Sequence, residues 1–589
     1  MFKRVAMLFA LGATALVSIP SVTYMVSSSP GNASQSLHKS TIVIGPCDVD
    51  FNGNGIVAVD DIMQVASRWR STDQADIDDY DLDGDDDIDV VDIMLVAVHW
   101  GELCLTPPFG VNMGSGNATA RQLAREAGAR WVRTGVSWAS IEPTNMDLNN
   151  PANGNWPDSW IGDLADDGFG ILVLVFQNPS WAANTTCGPL KSGMLGEFSQ
   201  FLTALVARYS QSPYNVKYWE LYNEPDIKDS GQGEQYGGCW GNNGAEYAQM
   251  LAVADAAIHG ADSGAKVLMG PLAYEWWSGD FFNSGIDPSI TPGPTEWTTG
   301  GAEFPDFLEV VLSNGGGDHF DVMSFHSYIV FHPRWDLPDD GSLPGDVAYE
   351  SACSGSTDLL KRPQEGDIFG KLIYLRKRLM KHNVAYGDKP FVVSEIGRRS
   401  DAGQSMLQQG CLGGNVAGSD EQQSRYAVQG NVRAMAAGLE IAIWYDVVDN
   451  ANGEYGLLDM ALNPKPAYWA YKTATDELME VMYDHQMTGG ETGWPDVEGY
   501  EFQMVDGRRK WMLWTPTKVS GETVREVSFP AGRVRVVPKQ KYNETYPDTE
   551  IPGVVQVIDD GGPGDKGPAG DGEVAIDVTA SPIFVEANP

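Results

Sequence analysis

With 80 acidic against 39 basic side chains in 589 residues, the chain carries a net charge of −41, which repels phosphate backbones and excludes nucleic acid as a partner. The length exceeds one ordinary domain and predicts several. Eighteen Trp, 22 Tyr and 20 Phe are enough for more than one large core.

The chain opens Met1-Phe2-Lys3-Arg4 and runs apolar over residues 5–19 before small and polar residues take over. Residues 1–30 therefore read as a secretory signal peptide, and a secreted, extracellular protein is expected. The run is shorter than the ~20 apolar residues of a spanning helix, so a membrane is a partner only if the segment stays uncleaved. Residues 31–46, with their Ser, Asn and Gly, read as a linker. Export gives the six cysteines a disulfide reading, because their number is even and the compartment oxidising. Sequential pairing is expected, Cys47 with Cys104, Cys187 with Cys239 and Cys353 with Cys411, although spacing does not fix connectivity.

Between Cys47 and Cys104 lies an internal repeat. Asp61-Ile62-Met63-Gln64-Val65-Ala66-Ser67-Arg68-Trp69 returns 31 positions later as Asp92-Ile93-Met94-Leu95-Val96-Ala97-Val98-His99-Trp100. Each copy is an apolar helical pattern after an acidic loop. Asp50, Asn52, Asn54 and Asp61 stand at positions 1, 3, 5 and 12 of the first loop, and Asp81, Asp83, Asp85 and Asp92 in the second. That spacing of oxygen ligands suits calcium, with glycine favoured at position 6 for the turn. Gly55 supplies it in the first loop; Asp86 stands there in the second. Paired half-EF-hand loops of this kind resemble a type I dockerin over residues 47–104, which implies structural calcium and a cohesin-bearing scaffold protein as partner. The module holds 16 acidic residues against Arg68 and Arg70, so most of the chain's acidity lies elsewhere.

From residue 106 apolar strands alternate with amphipathic helices, the pattern of parallel βα units. Eight strands are predicted, at residues 109–114, 131–138, 171–177, 217–226, 266–273, 320–328, 391–397 and 441–449, with helices such as 118–127 and 198–209 between them. Eight units over residues 106–480 fit a (β/α)8 TIM barrel within an α/β fold class. No glycine-rich phosphate loop follows the first strand, which weighs against a nucleotide-binding sheet.

Chemistry collects where strands end. Lys217-Tyr218-Trp219-Glu220-Leu221-Tyr222-Asn223-Glu224-Pro225 is a buried strand stopping at Asn-Glu-Pro, and Phe391-Val392-Val393-Ser394-Glu395-Ile396-Gly397 ends in a second glutamate. Arg133 lies on the second strand, His326 and Tyr328 on the sixth, and Trp444 on the eighth. Parallel barrels bring such positions to one face. The constellation resembles the clan A glycoside hydrolases, closest to families five and thirty-nine, over about residues 106–480. In that clan an acid/base follows strand four in Asn-Glu-Pro and a nucleophile follows strand seven. Gln177 or Asn178 stands where several of its families have histidine.

The resemblance implies a retaining glycosidase acting on O-glycosidic bonds of polysaccharides or oligosaccharides, β-linked and of plant type, without a catalytic cofactor. Glu224 would be the acid/base and Glu395 the nucleophile. Arg133 and Tyr328 would keep Glu395 ionised, Asn223 would bind the sugar 2-hydroxyl, His326 would contact substrate, and Trp444 would floor the reacting ring. Trp138, Trp181, Trp240, Trp276 and Trp277 are candidates for outer subsites, and Tyr445 and Asp446 read as scaffold. Arg133 also has a competing partner in Glu220, lower in the barrel. The alternative function is a non-catalytic glycan-binding or scaffold protein with a decayed barrel, against which the two intact glutamates argue.

Residues 481–589 turn to short alternating strands, at 500–505, 510–515, 524–529, 532–537 and 582–586, with a Gly, Pro and Asp-rich loop at 559–572. This pattern predicts a β-sandwich accessory domain.

Overall fold

The computed structural model describes residues 49, 51, 57–72, 76–77, 80–82 and 87–100, and residues 107–589 apart from 115–116, 149, 151, 227–239, 242, 274–306, 329–367, 385–388, 402–418, 480, 505, 516, 519–520 and 543–548. The expected signal peptide and linker fall outside them. So do Asp50, Asn52, Asn54, Asp83, Asp85, Trp276, Trp277 and every cysteine except Cys187. That cysteine is disulfide-bonded, and its expected partner Cys239 lies outside the described residues. No described helix is long and apolar enough to cross a membrane.

In the N-terminal module the repeat folds into two matching helices, α1 (Val59–Ser67) and α2 (Val90–Val98). Val65 and Val96, equivalent in the two copies, share a small core with Val49, Val57 and Ile88. Asp61 and Asp92 are buried in the first turns. There Asp61 accepts from the Ala58 amide at 2.8 Å, and Asp92 from the Leu82 and Asp89 amides, both at 2.7 Å.

The central sheet has eight parallel strands: β1 (Phe109–Asn112), β2 (Trp131–Ser137), β3 (Gly170–Phe176), β4 (Tyr218–Leu221), β5 (Lys266–Met269), β6 (Met323–Tyr328), β7 (Phe391–Gly397) and β8 (Ile441–Trp444). Their order is β5-β4-β3-β2-β1-β8-β7-β6, and parallel bridges from Leu268 to Val322 and from Leu272 to Phe325 bring β5 against β6. The sheet thus closes into a (β/α)8 barrel. Helices α3 (Ala118–Glu126), α4 (Asp158–Asp166), α5 (Leu195–Tyr209), α6 (Gly244–Ala261), α7 (Phe307–Ser313), α8 (Ile368–Lys381), α9 (Asp420–Ala436) and α10 (Pro466–Glu477) surround it.

Alternation along the strands sorts side chains between two cores. Outward residues such as Phe109, Val111, Trp219, Leu221 and Phe325 meet the helices. Leu172, Leu268, Val322, Val392, Ile441 and Ile443 fill the barrel's interior, with Trp131 and Tyr218 packed against them. Two residues further along the same inward rows the chemistry changes. Trp131 gives way to Arg133, Tyr218 to Glu220, Val322 to Ser324 and Val392 to Ser394. The barrel is therefore apolar below and polar toward its carboxyl end, where the interior rows reach the loops.

Beyond the barrel the chain forms antiparallel sheets. The strands are β9 (Val481–Gln486), β10 (Glu498–Met504), β11 (Arg509–Trp514), β12 (Thr517–Lys518), β13 (Gly521–Glu522), β14 (Arg525–Phe529), β15 (Arg533–Pro538), β16 (Gln556–Asp559), β17 (Val574–Val578) and β18 (Ile583–Ala587). Six of them pair as β16-β15-β18-β11-β10-β9, while β14 pairs with β17 and β12 with β13. Trp511, Leu513, Val534 and Val585 of the larger sheet share an apolar core with Val527, Phe529, Val574 and Ile576 of the β14 and β17 ribbon. The unit is anchored to the barrel through ion pairs. Arg433 of α9 meets Glu498 bidentately at 2.6 and 2.7 Å, and Glu477 of α10 is ringed by Lys510, Lys541 and Arg535.

Candidate active site

Two departures from regular strand geometry deliver the two glutamates. On β7 the register against β6 slips by one residue, so that Phe325 pairs with Val393 but His326 pairs with Glu395. This bulge turns two consecutive side chains inward. Ser394 Oγ meets Ser324 Oγ at 3.2 Å, and Glu395 reaches the mouth. After β4, Tyr222 (φ 64°) and Glu224 (φ 45°) are left-handed, a conformation that costs a non-glycine residue roughly 1–3 kcal/mol and is concentrated at functional sites. Tyr222, which regular alternation would point inward, packs instead against Trp240 and Phe198 and donates to Asn178 Oδ1 at 2.6 Å. Asn223 and Glu224 are thereby presented to the barrel mouth.

Arg133 joins the strands. It donates from Nε to Glu220 Oε2, from Nη1 to Glu395 Oε1 and from Nη2 to Asn223 Oδ1, each at 2.7 Å. The two partners weighed for it from sequence, Glu220 and Glu395, are thus both held by one buried guanidinium. Burial works against its charge, but Glu220 and Glu395 outweigh that and raise its pKa. Tyr328 donates to the other oxygen of Glu395. His326 Nδ1 lies 2.8 Å from Glu224 Oε1 and 3.4 Å from Glu395 Oε2. One ligand-type atom from each of Glu224, His326 and Glu395 lies within 4.8 Å of the other two.

The two carboxyls differ in environment. At Glu224, burial and then the charges of Glu395 and Asp226 push the pKa well above the ordinary carboxylate range, with Lys371 and Arg133 opposing. At Glu395 burial also raises it, but Arg133 and the Tyr328 hydrogen bond pull it back. The first proton the pair takes up therefore goes to Glu224. Burial, with Arg133 and Lys371, holds His326 well below its usual range, so its imidazole is neutral near pH 7.

The structure brings Glu224, Glu395, Arg133, Asn223, His326 and Tyr328 together, but it does not bring Trp444. The inward residues of β8 are Ile441 and Ile443, so Trp444 faces the helices, where it lies beside Tyr426 and donates to the Tyr455 carbonyl at 3.1 Å. Trp138 and Trp240 are likewise buried among the helices and form no open subsite. Trp181 is half-buried. Asn178 serves as a structural partner of Tyr222 and of the Gly188 carbonyl.

Tyr445, which the sequence reads as barrel-mouth scaffold, stands at the mouth beside Tyr328. Its ring lies 6.1 Å from Tyr328 and 5.5 Å from Tyr455, and burial together with the Glu395 charge pushes its pKa up to about 12. A Cβ on Gly397 would come within 2.5 Å of the Tyr445 carbonyl oxygen, so the glycine ending Ser-Glu-Ile-Gly permits this approach. Asp446 is pushed to about 7 by burial and also feels Glu395; it accepts from Asn450 at 2.9 Å.

Against known proteins, no family model matches the chain, and no curated protein does. Among solved structures it is similar to a family 39 glycoside hydrolase from the gut symbiont Bacteroides cellulosilyticus WH2, with a TM-score of 0.53 at 18% identity over 82% of this chain and 81% of that one. A glucosidase from Croceicoccus marinus aligns with a TM-score of 0.49 at 13% identity, over 82% of this chain and 95% of the other. A monomeric β-xylosidase from Caulobacter crescentus CB15 aligns at 0.47 and 14%, over 82% and 96%. At these identities the likeness is one of fold, and the first of these comparisons supports the same (β/α)8 architecture for the chain.

Proposed function

We propose that the chain is a retaining glycoside hydrolase that cleaves O-glycosidic bonds, β-linked and of plant type, by double displacement. The observation that carries this reading is the placing of Glu224 and Glu395, from the ends of β4 and β7, with carboxylate oxygens within 4.8 Å of each other. Retaining enzymes hold their carboxyls about 5 Å apart, whereas inverting ones leave room for a water. Glu224, the carboxyl that holds its proton, gives it to the leaving oxygen as that carbon–oxygen bond breaks. Glu395 attacks the anomeric carbon and forms a glycosyl ester. Glu224, now ionised, takes a proton from water, which attacks the same carbon and frees Glu395. Arg133 and Tyr328 disperse the charge of Glu395 before attack and after release, and Asn223 would meet the 2-hydroxyl. Intact acid and nucleophile disfavour the reading as a decayed, glycan-binding barrel. Hydrolysis of xylan, mannan, glucan and galactan, with the first-formed anomer followed by proton NMR, tests the proposal; a retained anomer is expected and an inverted one overturns it.

The same reading places the enzyme outside the cell. The export pattern of residues 1–30 and the disulfide at Cys187 support it. We propose too that the 47–104 module is dockerin-like and orders around calcium. Its donor set is all oxygen, as a hard cation wants, and the buried Asp61 and Asp92 would hold one ion each with Asp50, Asn52, Asn54 and with Asp81, Asp83, Asp85. Met63 with Met94, and Trp69 with Trp100, stand exposed at matching positions of the repeat, which supports a protein partner of the cohesin-bearing scaffold type. Calorimetric titration of the chelator-treated full chain should show two calcium sites, the tighter one lost in Asp50→Ala/Asp61→Ala.

A further inference from the structure

Glu220 has no place in the double displacement, yet it is fully buried in the barrel interior, where an ionised carboxyl is costly unless paired and hydrogen-bonded. Both its oxygens are engaged. Oε2 accepts from Arg133 Nε at 2.7 Å and Oε1 from Ser324 Oγ at 2.5 Å. Each contact leads on to Glu395. Arg133 donates to Glu395 from a second nitrogen at 2.7 Å. Ser324 lies 3.2 Å from Ser394, the residue that precedes Glu395 in the bulge.

One guanidinium thus serves two carboxylates in line, and its charge is divided between them. We infer that Glu220 is a positioning residue that aims Arg133 and limits its hold on Glu395, so that the nucleophile stays ionised without becoming a weak base. The inference rests on Glu395 being the nucleophile. The direction follows from electrostatics. A negative Glu220 raises the proton affinity of Glu395, while Arg133 lowers it. Removing the Glu220 charge leaves Arg133 to act on Glu395 alone, and the pKa of Glu395 falls. Other groups around this row are Glu224 and Asp226 beyond β4, His326 and Tyr328 on β6, Lys371 on α8, Tyr247 on α6, and Tyr445, Asp446 and Tyr455 beyond β8. Arg133 is hydrogen-bonded to both Glu220 and Glu395.

The test is Glu220→Gln in the full chain. For kcat/KM on an aryl β-glycoside, the acidic limb belongs to the nucleophile and should move down by about one pH unit, with the basic limb in place and kcat lowered. In protein labelled with carbon-13 at the glutamate carboxyls, the Glu395 resonance, assigned by its loss in Glu395→Gln, should titrate lower by the same amount. That readout needs no turnover. A chain that hydrolyses nothing while the Glu395 resonance moves down overturns the proposed function and the nucleophile's role with it, and leaves standing only the control of Glu395 by Glu220 through Arg133. A limb and resonance that stay in place overturn the inference even in an active enzyme. Should Glu220→Gln fail to fold, Glu220→Asp carries the test. It keeps the charge but shortens the arm, so kcat should fall while the Glu395 titration stays within about 0.3 unit of the parent; a drop as large as that expected for glutamine overturns the inference.

Discussion

His326 and Glu224 meet through Nδ1 and Oε1 at 2.8 Å, so a buried, neutral imidazole from β6 orients the carboxyl proposed as the proton donor. A proton donor matters most when the leaving group is a poor one. His326→Ala should therefore lower kcat/KM about 100-fold on alkyl glycosides or oligosaccharides, but less than about tenfold on dinitrophenyl glycosides, whose leaving groups need no proton. A plot of log kcat/KM against leaving-group pKa would be steeper than for the parent. Equal losses across the series would show that His326 does not act through Glu224.

The end of β8 separates two aromatic neighbours by role. Trp444 is buried against the helices, and Tyr445 faces Tyr328 at the mouth. Trp444→Phe should lower stability by roughly 1–3 kcal/mol, as other buried truncations do, and leave KM close to that of the parent. Tyr445→Ala should show the reverse, with kcat/KM down more than about tenfold and a small change in melting temperature. If Trp444→Phe raises KM while Tyr445→Ala does not, the indole is the substrate floor after all.

These two residues also mark the limit of what a sequence discloses. The eight strands were legible because strands buried on both faces are near-continuous apolar runs, and the polar residues closing such runs marked the site. Alternation then predicts which face a side chain takes, but only while the strand stays regular. The bulge at Ser394 and Glu395 and the left-handed Tyr222 and Glu224 break it where the chemistry sits. The resemblance puts Trp444 under the sugar and leaves Tyr445 as barrel-mouth scaffold, and the periodicity of β8 alone does not show which of the two faces inward. The double partnership of Arg133 was visible only as a choice between Glu220 and Glu395, which lie far apart in the chain. In the C-terminal unit β9, β12, β13, β16 and β17 have no counterpart among the strands expected from the sequence. The alternation in Val574–Val578 was present but is as short as a loop's.

Glu477 ties the barrel to the C-terminal sheets. It is nearly buried at the end of α10, 2.6 Å from both Lys510 and Lys541 and 3.2 Å from Arg535. Burial alone would raise its pKa, but Lys510, Lys541 and Arg535 outweigh that and lower it to about 2. A carboxyl with a depressed folded pKa stabilises fully above its unfolded value, about 4.3, and the gain is lost as pH falls toward 2. The contribution is on the order of 3 kcal/mol near neutrality. Melting temperature should therefore decline between about pH 4.5 and 2, and Glu477→Gln should flatten that part of the decline. The variant should also be less stable at pH 7, since three cations lose their counter-charge. An unchanged profile would mean that this cluster does not fasten the two units.

The unequal surroundings of Glu224 and Glu395 lead to the sharpest contrast. Glu395→Gly should abolish turnover of every glycoside, because without the carboxylate no glycosyl ester can form. Glu224→Ala should lose most activity on natural glycosides, whose leaving oxygens need a proton, yet still be glycosylated by activated aryl glycosides. Its ester would then accumulate, since no base remains to activate water. Azide is a strong nucleophile that needs no base, and it fits the space left by the missing carboxyl. Added azide should restore turnover in Glu224→Ala and give a β-glycosyl azide from a β-linked substrate, the configuration that a second displacement at the same carbon demands. In the parent, activity should fall at low pH as Glu395 takes up a proton and at high pH as Glu224 loses one. Because Glu224 is held well above the ordinary carboxylate range, the basic limb should vanish in Glu224→Ala assayed on an activated substrate. Equal loss in both variants on both substrate types, with no rescue by azide, would remove the assignment of Glu224 as acid/base and of Glu395 as nucleophile.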